Sequence, residues 1–356
     1  IICIDVDVDL HSGRSLEDAA RVARYDAFET IVRHDDVLFF GHHLDDQVET
    51  MLLRLLRGSG SRGAAAMPSS RSLGSGQLAR PLLDIPRSAI ETYATSNQLE
   101  WIEDSSNQSL DFDRNFLRLE VFPAFEQRWP GYRQTLSRAA LLNEEAAVLN
   151  DELAAIDLQQ MGVSPQSSAT LPIELLSRLS RPRQKNSLRY FLKLNQLATP
   201  SSAQLNEVID QLLGARIDAT PLVEWGDVQL RRFGDKIVAM RRMSPMDGLK
   251  RYSWNLTGTI TLENAGSLMA ISSHGKGINA AMLDNSELVV AFRQGGERCR
   301  PVSRSGSQTL KKLLQEYQLE PWLRDRIPLI LYRDEIIAVG DLWICEGWQV
   351  EGDQQG

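Results

Sequence analysis

Val37-Leu38-Phe39-Phe40-Gly41-His42-His43-Leu44-Asp45-Asp46-Gln47-Val48-Glu49-Thr50 sets a short apolar run directly before a polar turn and a helix. The apolar residues ending at Gly41 suit a buried parallel strand. From Gln47 to Leu56, Val48, Met51, Leu52 and Leu55 fall on one helical face, and Gly58 ends the helix. Strand, polar turn and helix in this order predict an α/β domain, in which ligands bind at the carboxyl ends of strands. Imidazoles and carboxylates crowd between His42 and Glu49. Such crowding is costly unless something positive is bound, and a metal ion, Mg-ATP or an ammonium group would serve. Asp45 and Glu49, four apart, share a helix face and can hold a lysine ammonium or a divalent cation. Asp45 or Asp46 equally serves as a helix cap, and Arg54 and Arg57 suit the negative end of the helix dipole. Zinc fits poorly, because adjacent histidines are badly spaced for one tetrahedral ion.

Toward the N-terminus, residues 1–8 alternate as a strand does, and His11-Ser12-Gly13-Arg14 reads as a loop. A helix follows from Ser15, with Leu16, Ala19, Ala20, Ala23 and Phe28 at helical spacing. Toward the C-terminus, residues 59–79 are rich in Ser, Gly and Ala and predict a mobile loop. Residues 87–97 predict a helix, Trp101-Ile102 a short strand with Trp101 in the core, and 115–128 a helix interrupted by Pro123. Asp104 and Asn107 offer acceptors and donors near that strand end. Arg114 and Arg118, four apart on the helix, can face one anion such as a phosphate. Pairing of Asp104 or Asp113 with Arg114 is the structural alternative.

A long Ala/Leu/Glu pattern from about Thr135 to Met161 predicts a connecting helix, and amphipathic helices follow within 172–213. Val228 to Met240 reads as a hairpin turning at Phe233-Gly234-Asp235-Lys236. The last stretch has short alternating runs, a helix at Leu310–Glu316 and a strand-turn-strand around Arg333-Asp334-Glu335. Three domains are expected, at 1–134, 135–245 and 246–356. The chain of 356 residues carries a formal charge of -8, yet residues 293–326 hold eight Arg or Lys against four Asp or Glu. A local basic surface of that kind suits a phosphate backbone; a solvated basic face with Trp322 in a small core is the plainer reading. Three scattered cysteines exclude a disulfide framework and favour a reducing, cytoplasmic setting, and no apolar run is long enough to span a membrane.

His43-x-Asp45-Asp46-Gln47-x-Glu49-Thr50, followed by Leu55-x-Arg57-Gly58, resembles the second signature of the tRNA(Ile)-lysidine synthetases of the PP-loop ATP pyrophosphatase group. Ala20-Arg21-Val22-Ala23-Arg24-Tyr25 and Arg80-Pro81-Leu82-Leu83 resemble flanking segments of that family. Asp104-x-x-Asn107 and Arg114-Asn115-x-x-Arg118 match a third signature, and the run from Phe292 to Pro328 is similar to the family's C-terminal domain. The resemblance implies a PP-loop-type (adenine nucleotide alpha hydrolase-like) parallel sheet, incomplete here, in a catalytic domain at 1–134, then a mainly helical middle domain at 135–245 that binds substrate and tRNA, and a small α+β C-terminal tRNA-binding domain at 246–356. It implies catalytic roles for His43, Asp45, Asp46, Glu49, Arg114 and Arg118. It also implies nucleotide contacts at His43, Arg57, Gly58, Asp104, Asn107 and Arg114. The tRNA contacts it implies are Arg298, Arg300, Lys311, Lys312, Arg324 and Arg326; it assigns no metal ligands. ATP and Mg2+ are the implied cofactors. Free L-lysine and the CAU-anticodon tRNA(Ile) are the implied partners, with a homodimer open and no membrane.

The implied reaction adenylates C2 of the wobble cytidine and replaces the adenylate with lysine. The family's Ser-Gly-Gly-x-Asp-Ser loop appears nowhere in residues 1–356. The chain is therefore expected to lack the N-terminal PP-loop segment, carried before Ile1, and to be weakly active or inactive by itself. A non-catalytic RNA-binding relative and another PP-loop tRNA-modifying enzyme, such as a thiolase, are the rival readings; the cysteines form no sulfur-carrying pair.

Overall fold

The computed structural model describes residues 3–9, 16–102, 105–164, 169–216, 219–256, 258–283, 288–302 and 304–350. The chain divides into two compact units, Ile1–Gln160 and Met161–Gly356.

In the first unit, helix α1 (Leu16–Ile31) leads to strand β1 (Val37–Phe39), helix α2 (Leu44–Leu56) and a short helix α3 (Ser61–Ala64). Strands β2 (Ser70–Leu73) and β3 (Gly76–Ala79) form a hairpin whose second strand pairs with β1 in parallel. The result is a mixed three-stranded sheet in the order β1-β3-β2. Tyr25, Val32, Leu73 and Leu78, with Phe28, Leu38 and Phe40, pack α1 onto one face of it. Alternation along β1 sends Val37 and Phe39 to the other face, where they stay 44% and 66% exposed. The apolar run is thus a parallel strand as expected, but not one buried on both sides.

The hairpin replaces the mobile loop expected at 59–79. Three long-range ties order it. The buried Gln47 amide donates to Met67 O at 2.8 Å and accepts from Met67 N–H at 2.9 Å. Arg54 Nη1 donates to Ala66 O at 2.5 Å. Gly76 lies so close to Arg33 and Asp36 that a Cβ there would sit 2.6 and 2.5 Å from their carbonyl oxygens. The expected strand at residues 1–8 is absent from its described part, since residues 3–9 have no regular structure and are mostly exposed. Trp101-Ile102 forms no strand either, and Trp101 is 54% exposed instead of belonging to the core.

Helix α4 (Arg87–Ser96) follows, and a 3-10 turn at Ser105–Gln108 leads into α5 (Asp113–Phe116). A π-turn at Leu117–Val121 joins α5 to α6 (Phe122–Arg128), so Pro123 sits in the first turn of a new helix segment and interrupts nothing. The π-turn has a packing consequence. At 3.6 residues per turn, positions five apart point about 140° away from each other. Here Leu117 and Phe122 are both buried in one cluster with Val48 and Tyr132. Helix α7 (Tyr132–Gln160), about 43 Å long, packs on α2 and α3 through small residues; Ala140, Ala147 and Ala154, seven apart, are buried.

The second unit begins with β4 (Thr170–Pro172) and helices α8 (Ile173–Ser177), α9 (Arg181–Leu194) and α10 (Ser202–Val208). Strands β5 (Leu222–Trp225), β6 (Val228–Phe233) and β7 (Lys236–Arg241) complete a sheet of order β4-β7-β6-β5, with the β6–β7 turn at Gly234-Asp235. Buried Arg232 donates to Leu212, Leu213 and Ala215 carbonyls and so closes the open end of the helical stretch before it.

The C-terminal α+β region contains β8 (Tyr252–Trp254), β9 (Thr259–Leu262), β10 (Gly266–Met269), β11 (Leu288–Ala291), β12 (Arg298–Cys299) and β13 (Gln308–Thr309). Helix α11 (Leu310–Glu316) and strands β14 (Leu329–Tyr332), β15 (Glu335–Val339) and β16 (Trp343–Ile344) finish it. Its main sheet is antiparallel, β16-β15-β14-β11-β8, and Leu310, Leu313 and Leu314 of α11 belong to its core. No described helix is long and apolar enough to cross a membrane.

Candidate active site

The start of α2 fixes the first half of the site. His43 is its N-cap, with extended backbone. Asp46, three residues on, accepts the His43 backbone N–H at 3.0 Å, which satisfies one donor at the helix start. The His43 ring lies 3.4 Å from Asp46 and 3.8 Å from Asp45. Asp45 accepts the Arg87 N–H at 2.9 Å and Arg133 Nε at 2.6 Å. Burial opposes its charge, but these two donors outweigh it and hold the carboxyl below its usual range.

Glu49 is fully buried on the next turn. Arg118 Nε and Nη2 donate to its two oxygens at 2.8 and 2.9 Å, a bidentate clamp. Arg114 Nε lies 3.3 Å away, and Arg114 Nη2 donates to Thr50 Oγ1 at 3.2 Å. Burial pushes the Glu49 carboxyl up to about 7 against the pull of Arg118. The acidic cluster is therefore not open. The chain's own Arg114, Arg118 and Arg133 supply positive charge beside Glu49 and Asp45. Asp46 is different: its Oδ1 lies 3.8 Å from Arg118 Nη2 and accepts no described hydrogen bond.

Beside this clamp a cavity of about 480 Å³ opens between α1, α2 and the start of α5. Arg21, Arg54, Arg57 and Arg114 line it with Asp18, Asp111, Asp113, Thr50 and Phe112. Arg54 is bonded only to neutral carbonyls in the described contacts, and burial, then Arg21 and Arg80, lower its pKa. Buried Arg80 donates to Pro68 O at 2.8 Å and reaches His42 Nδ1 at 3.3 Å. Burial first, then Arg80, Arg114 and Arg21, lower the His42 pKa against the pull of Asp46. Positive charge thus gathers at one side of α2, as an anion site requires.

Arg57 lies 3.7 Å from Asp113, so Asp113 pairs with Arg57 and not with Arg114. Gly58, at φ +79, ends α2: Gly58 N–H donates to Leu55 O and Ser59 N–H to Arg54 O. It does not line the cavity. Asn107 is exposed on the 3-10 turn, and Asp104 lies outside the described residues. The sequence reading did not assign Arg21, Arg54, Arg80, Arg133, Thr50 or Phe112 to the site. Arg21 and Arg80 stood inside recognised motifs; Arg133 carried no local signal. Among the described residues no group of three His, Cys, Asp or Glu residues could hold a metal ion.

In the second unit, Arg298 and Lys311 are exposed; Arg298 donates to Ser307 O, while Arg300 pairs with Glu346. Lys312 lies 3.9 Å from Glu316. Arg324 Nε donates to Leu319 O at 2.9 Å. Arg326 donates to the Asn264 and Ser244 carbonyls, a structural tie. Trp322 packs edge-on against Phe233 with Arg231 over its ring, away from the small core assigned to it.

A family model described as PP-loop domain matches residues 1–125, one described as TilS substrate binding domain matches 171–238, and one described as TilS substrate C-terminal domain matches 288–356. The tRNA(Ile)-lysidine synthase of Coxiella burnetii is 40% identical over 352 residues, covering 99% of this chain and 77% of its own length. Those of Legionella pneumophila strain Paris (35% over 366 residues, covering 98% and 83%) and Serratia proteamaculans (38% over 351 residues, covering 98% and 79%) are also similar. The chain belongs to the tRNA(Ile)-lysidine synthase family.

Membership makes it an enzyme of the ligase or synthetase class that acts in tRNA modification and uses ATP through its PP-loop domain. The match from residue 1 to 125 corrects one expectation: the PP-loop domain is present, not missing. The weak activity inferred from its absence loses its ground. A crystal structure of the TILS C-terminal domain, 23% identical, covers 30% of this chain and 92% of that one with a TM-score of 0.24, which decides nothing about the fold.

Proposed function

We propose that the chain ligates lysine to C2 of the wobble cytidine in the CAU-anticodon tRNA(Ile), through an adenylated tRNA. The C2 oxygen attacks the α-phosphorus of ATP, and pyrophosphate leaves with the electrons of the broken P–O bond. The lysine amine then attacks C2, loses a proton, and AMP departs with the former C2 oxygen. Arg21, Arg54, Arg57 and Arg114 line the cavity and are assigned to the phosphates, where charge builds on the leaving pyrophosphate. Glu49 positions Arg118 and Arg114. Asp46, which keeps one oxygen free of described hydrogen bonds, is assigned to the substrate amine and its proton, with His43 beside it. Asp45 holds α2 against Arg87 and Arg133. Mg2+ would accompany the ATP phosphates and offset the charge on the leaving pyrophosphate; since no group of three His, Cys, Asp or Glu among the described residues could hold a metal, phosphate oxygens and water would supply most of its ligands. Arg298, Lys311 and Lys312, exposed in the C-terminal region, contact the tRNA backbone. A homodimer is compatible with these assignments.

The observation that carries this reading is the arginine-lined cavity directly beside the Glu49 clamp. Labelled lysine, ATP and a panel of tRNAs test it. Label entering only the CAU-anticodon isoleucine tRNA, with AMP and pyrophosphate released in equal amounts, is expected. Label in other tRNAs, or ATP consumed without label transfer, would sink it.

A further inference from the structure

Cys299 and Cys345 are far apart in sequence and side by side in the C-terminal core. Cys299 ends β12, and the chain then runs antiparallel to the end of β16. Glu346 N–H donates to Arg300 O at 2.7 Å and Val302 N–H to Ile344 O at 3.3 Å, which sets Pro301 opposite Cys345. Side chains alternate along an extended chain, so Cys299, two before Pro301, shares the face of Cys345. The Cys345 S–H donates to Cys299 Sγ. That bond lowers the Cys299 pKa against the push of burial, and together with burial it raises that of Cys345. One sulfur is prepared to act as nucleophile, and the other lies ready to attack it in turn.

Neither thiol is in a disulfide, and both are buried. A small molecule still has a way in. Pro301, Val302, Trp343 and Ile344, close neighbours of the two cysteines in the chain, line a largely apolar cavity of about 890 Å³. A neutral hydroperoxide suits that path better than a bulky, charged disulfide does. The linked positions also carry charge beside them. Arg298 and Arg300 flank Cys299, Glu346 follows Cys345, and Arg300 pairs with Glu346.

We propose that Cys299 and Cys345 are a peroxide-sensitive disulfide site, whose closure clamps the Arg300–Glu346 pair and withdraws Arg300 from RNA. The withdrawal rests on the reading that this region holds tRNA; the disulfide does not. The Cys299 thiolate attacks one peroxide oxygen, the O–O bond breaks, and hydroxide leaves, taking up the proton that Cys299 gave up to become water. The Cys345 sulfur then attacks Cys299 Sγ of the sulfenic acid, the S–O bond breaks, and hydroxide leaves with the Cys345 proton as a second water. The two thiols lose two electrons and two protons, and the peroxide takes them up.

The test uses the whole chain carrying C3S, which removes the exposed third thiol. After treatment with hydrogen peroxide, free thiols are alkylated under denaturing conditions and peptides are mapped by mass spectrometry. A Cys299–Cys345 cross-link, lighter by two hydrogens and reversed by dithiothreitol, is expected, with none in C3S/C345S. Full alkylation of Cys299 and Cys345 after peroxide overturns the site. Filter binding to the CAU-anticodon tRNA across a KCl series then reads the clamp. The log–log salt slope of the cross-linked chain should be shallower by about 0.7–0.9, the loss of one phosphate contact. Dithiothreitol should restore it, and peroxide should leave C3S/C345S unmoved. A cross-linked chain that keeps the reduced slope overturns the clamp. A reduced chain that binds no tRNA sinks the reading of this region as an RNA surface, while the cross-link is decided by its mass.

Discussion

Glu49 lies between two opposing pressures. Burial favours its neutral form, Arg118 and Arg114 favour its anion, and the balance leaves the carboxyl at about 7. Only the anion can accept both Arg118 donors, so the clamp loosens as pH falls through that value. Turnover should therefore decline between about pH 8 and pH 6, and E49Q should lower kcat on the order of 10–100-fold by misplacing Arg118. A pH–rate profile of wild type and E49Q checks this; an E49Q enzyme with full activity and the same profile excludes the clamp. Stability runs the other way. Glu49 binds a proton more tightly in the folded chain than at its ordinary 4.5, so its contribution to stability is full below about pH 4.5 and lost as pH rises through about 7. A pH series of urea midpoints on wild type and E49Q reads that difference.

The elements around the site depend on contacts far apart in sequence. Gln47→Ala would leave the Met67 N–H and C=O without partners in a buried position, at a cost of about 2–4 kcal/mol. Gly76→Ala would force a Cβ against two backbone carbonyls and should cost about 1–3 kcal/mol. Urea unfolding measures both, and midpoints equal to wild type would refute the ties assigned to the 59–79 segment. These ties explain what the sequence concealed. Helices α2, α7 and α11 and the β6–β7 hairpin are written in local periodicity and turn residues, so they were legible. The β2–β3 hairpin is polar, short and glycine-rich, and its order comes from Gln47 and Arg54 reaching across. The grouping of carboxylates near His43 was equally legible, but not their partners. Arg118 lies 69 positions beyond Glu49 and Arg133 lies 88 beyond Asp45, so no local pattern shows that these carboxylates meet internal cations.

Across the whole molecule, an acidic chain presents local positive surfaces, and its cations do different work according to what they touch. Lys311 is exposed on α11, whereas Arg326 is bound to two backbone carbonyls. Lys311→Ala should weaken tRNA binding and make the salt slope shallower by about 0.7–0.9 without altering the melting temperature. Arg326→Ala should do the reverse, lowering the melting temperature by a few degrees and leaving the slope of the folded protein unchanged. Calorimetry beside the salt series separates the two; identical behaviour of both variants would remove the distinction. Sequence composition could flag the basic run at 293–326 but not sort its members, because a guanidinium on a carbonyl and one in water are spelled alike.

The π-turn at Leu117–Val121 holds one residue more than an ordinary helical turn. Taking one residue out of it would leave an α-helix in which the counterparts of Leu117 and Phe122 stand four apart, about 40° from each other, so Phe122 would keep its place on the Val48 and Tyr132 surface. A second deletion has no such slack to draw on and would turn everything beyond it by about 100°, so the segment can lose one codon but not two.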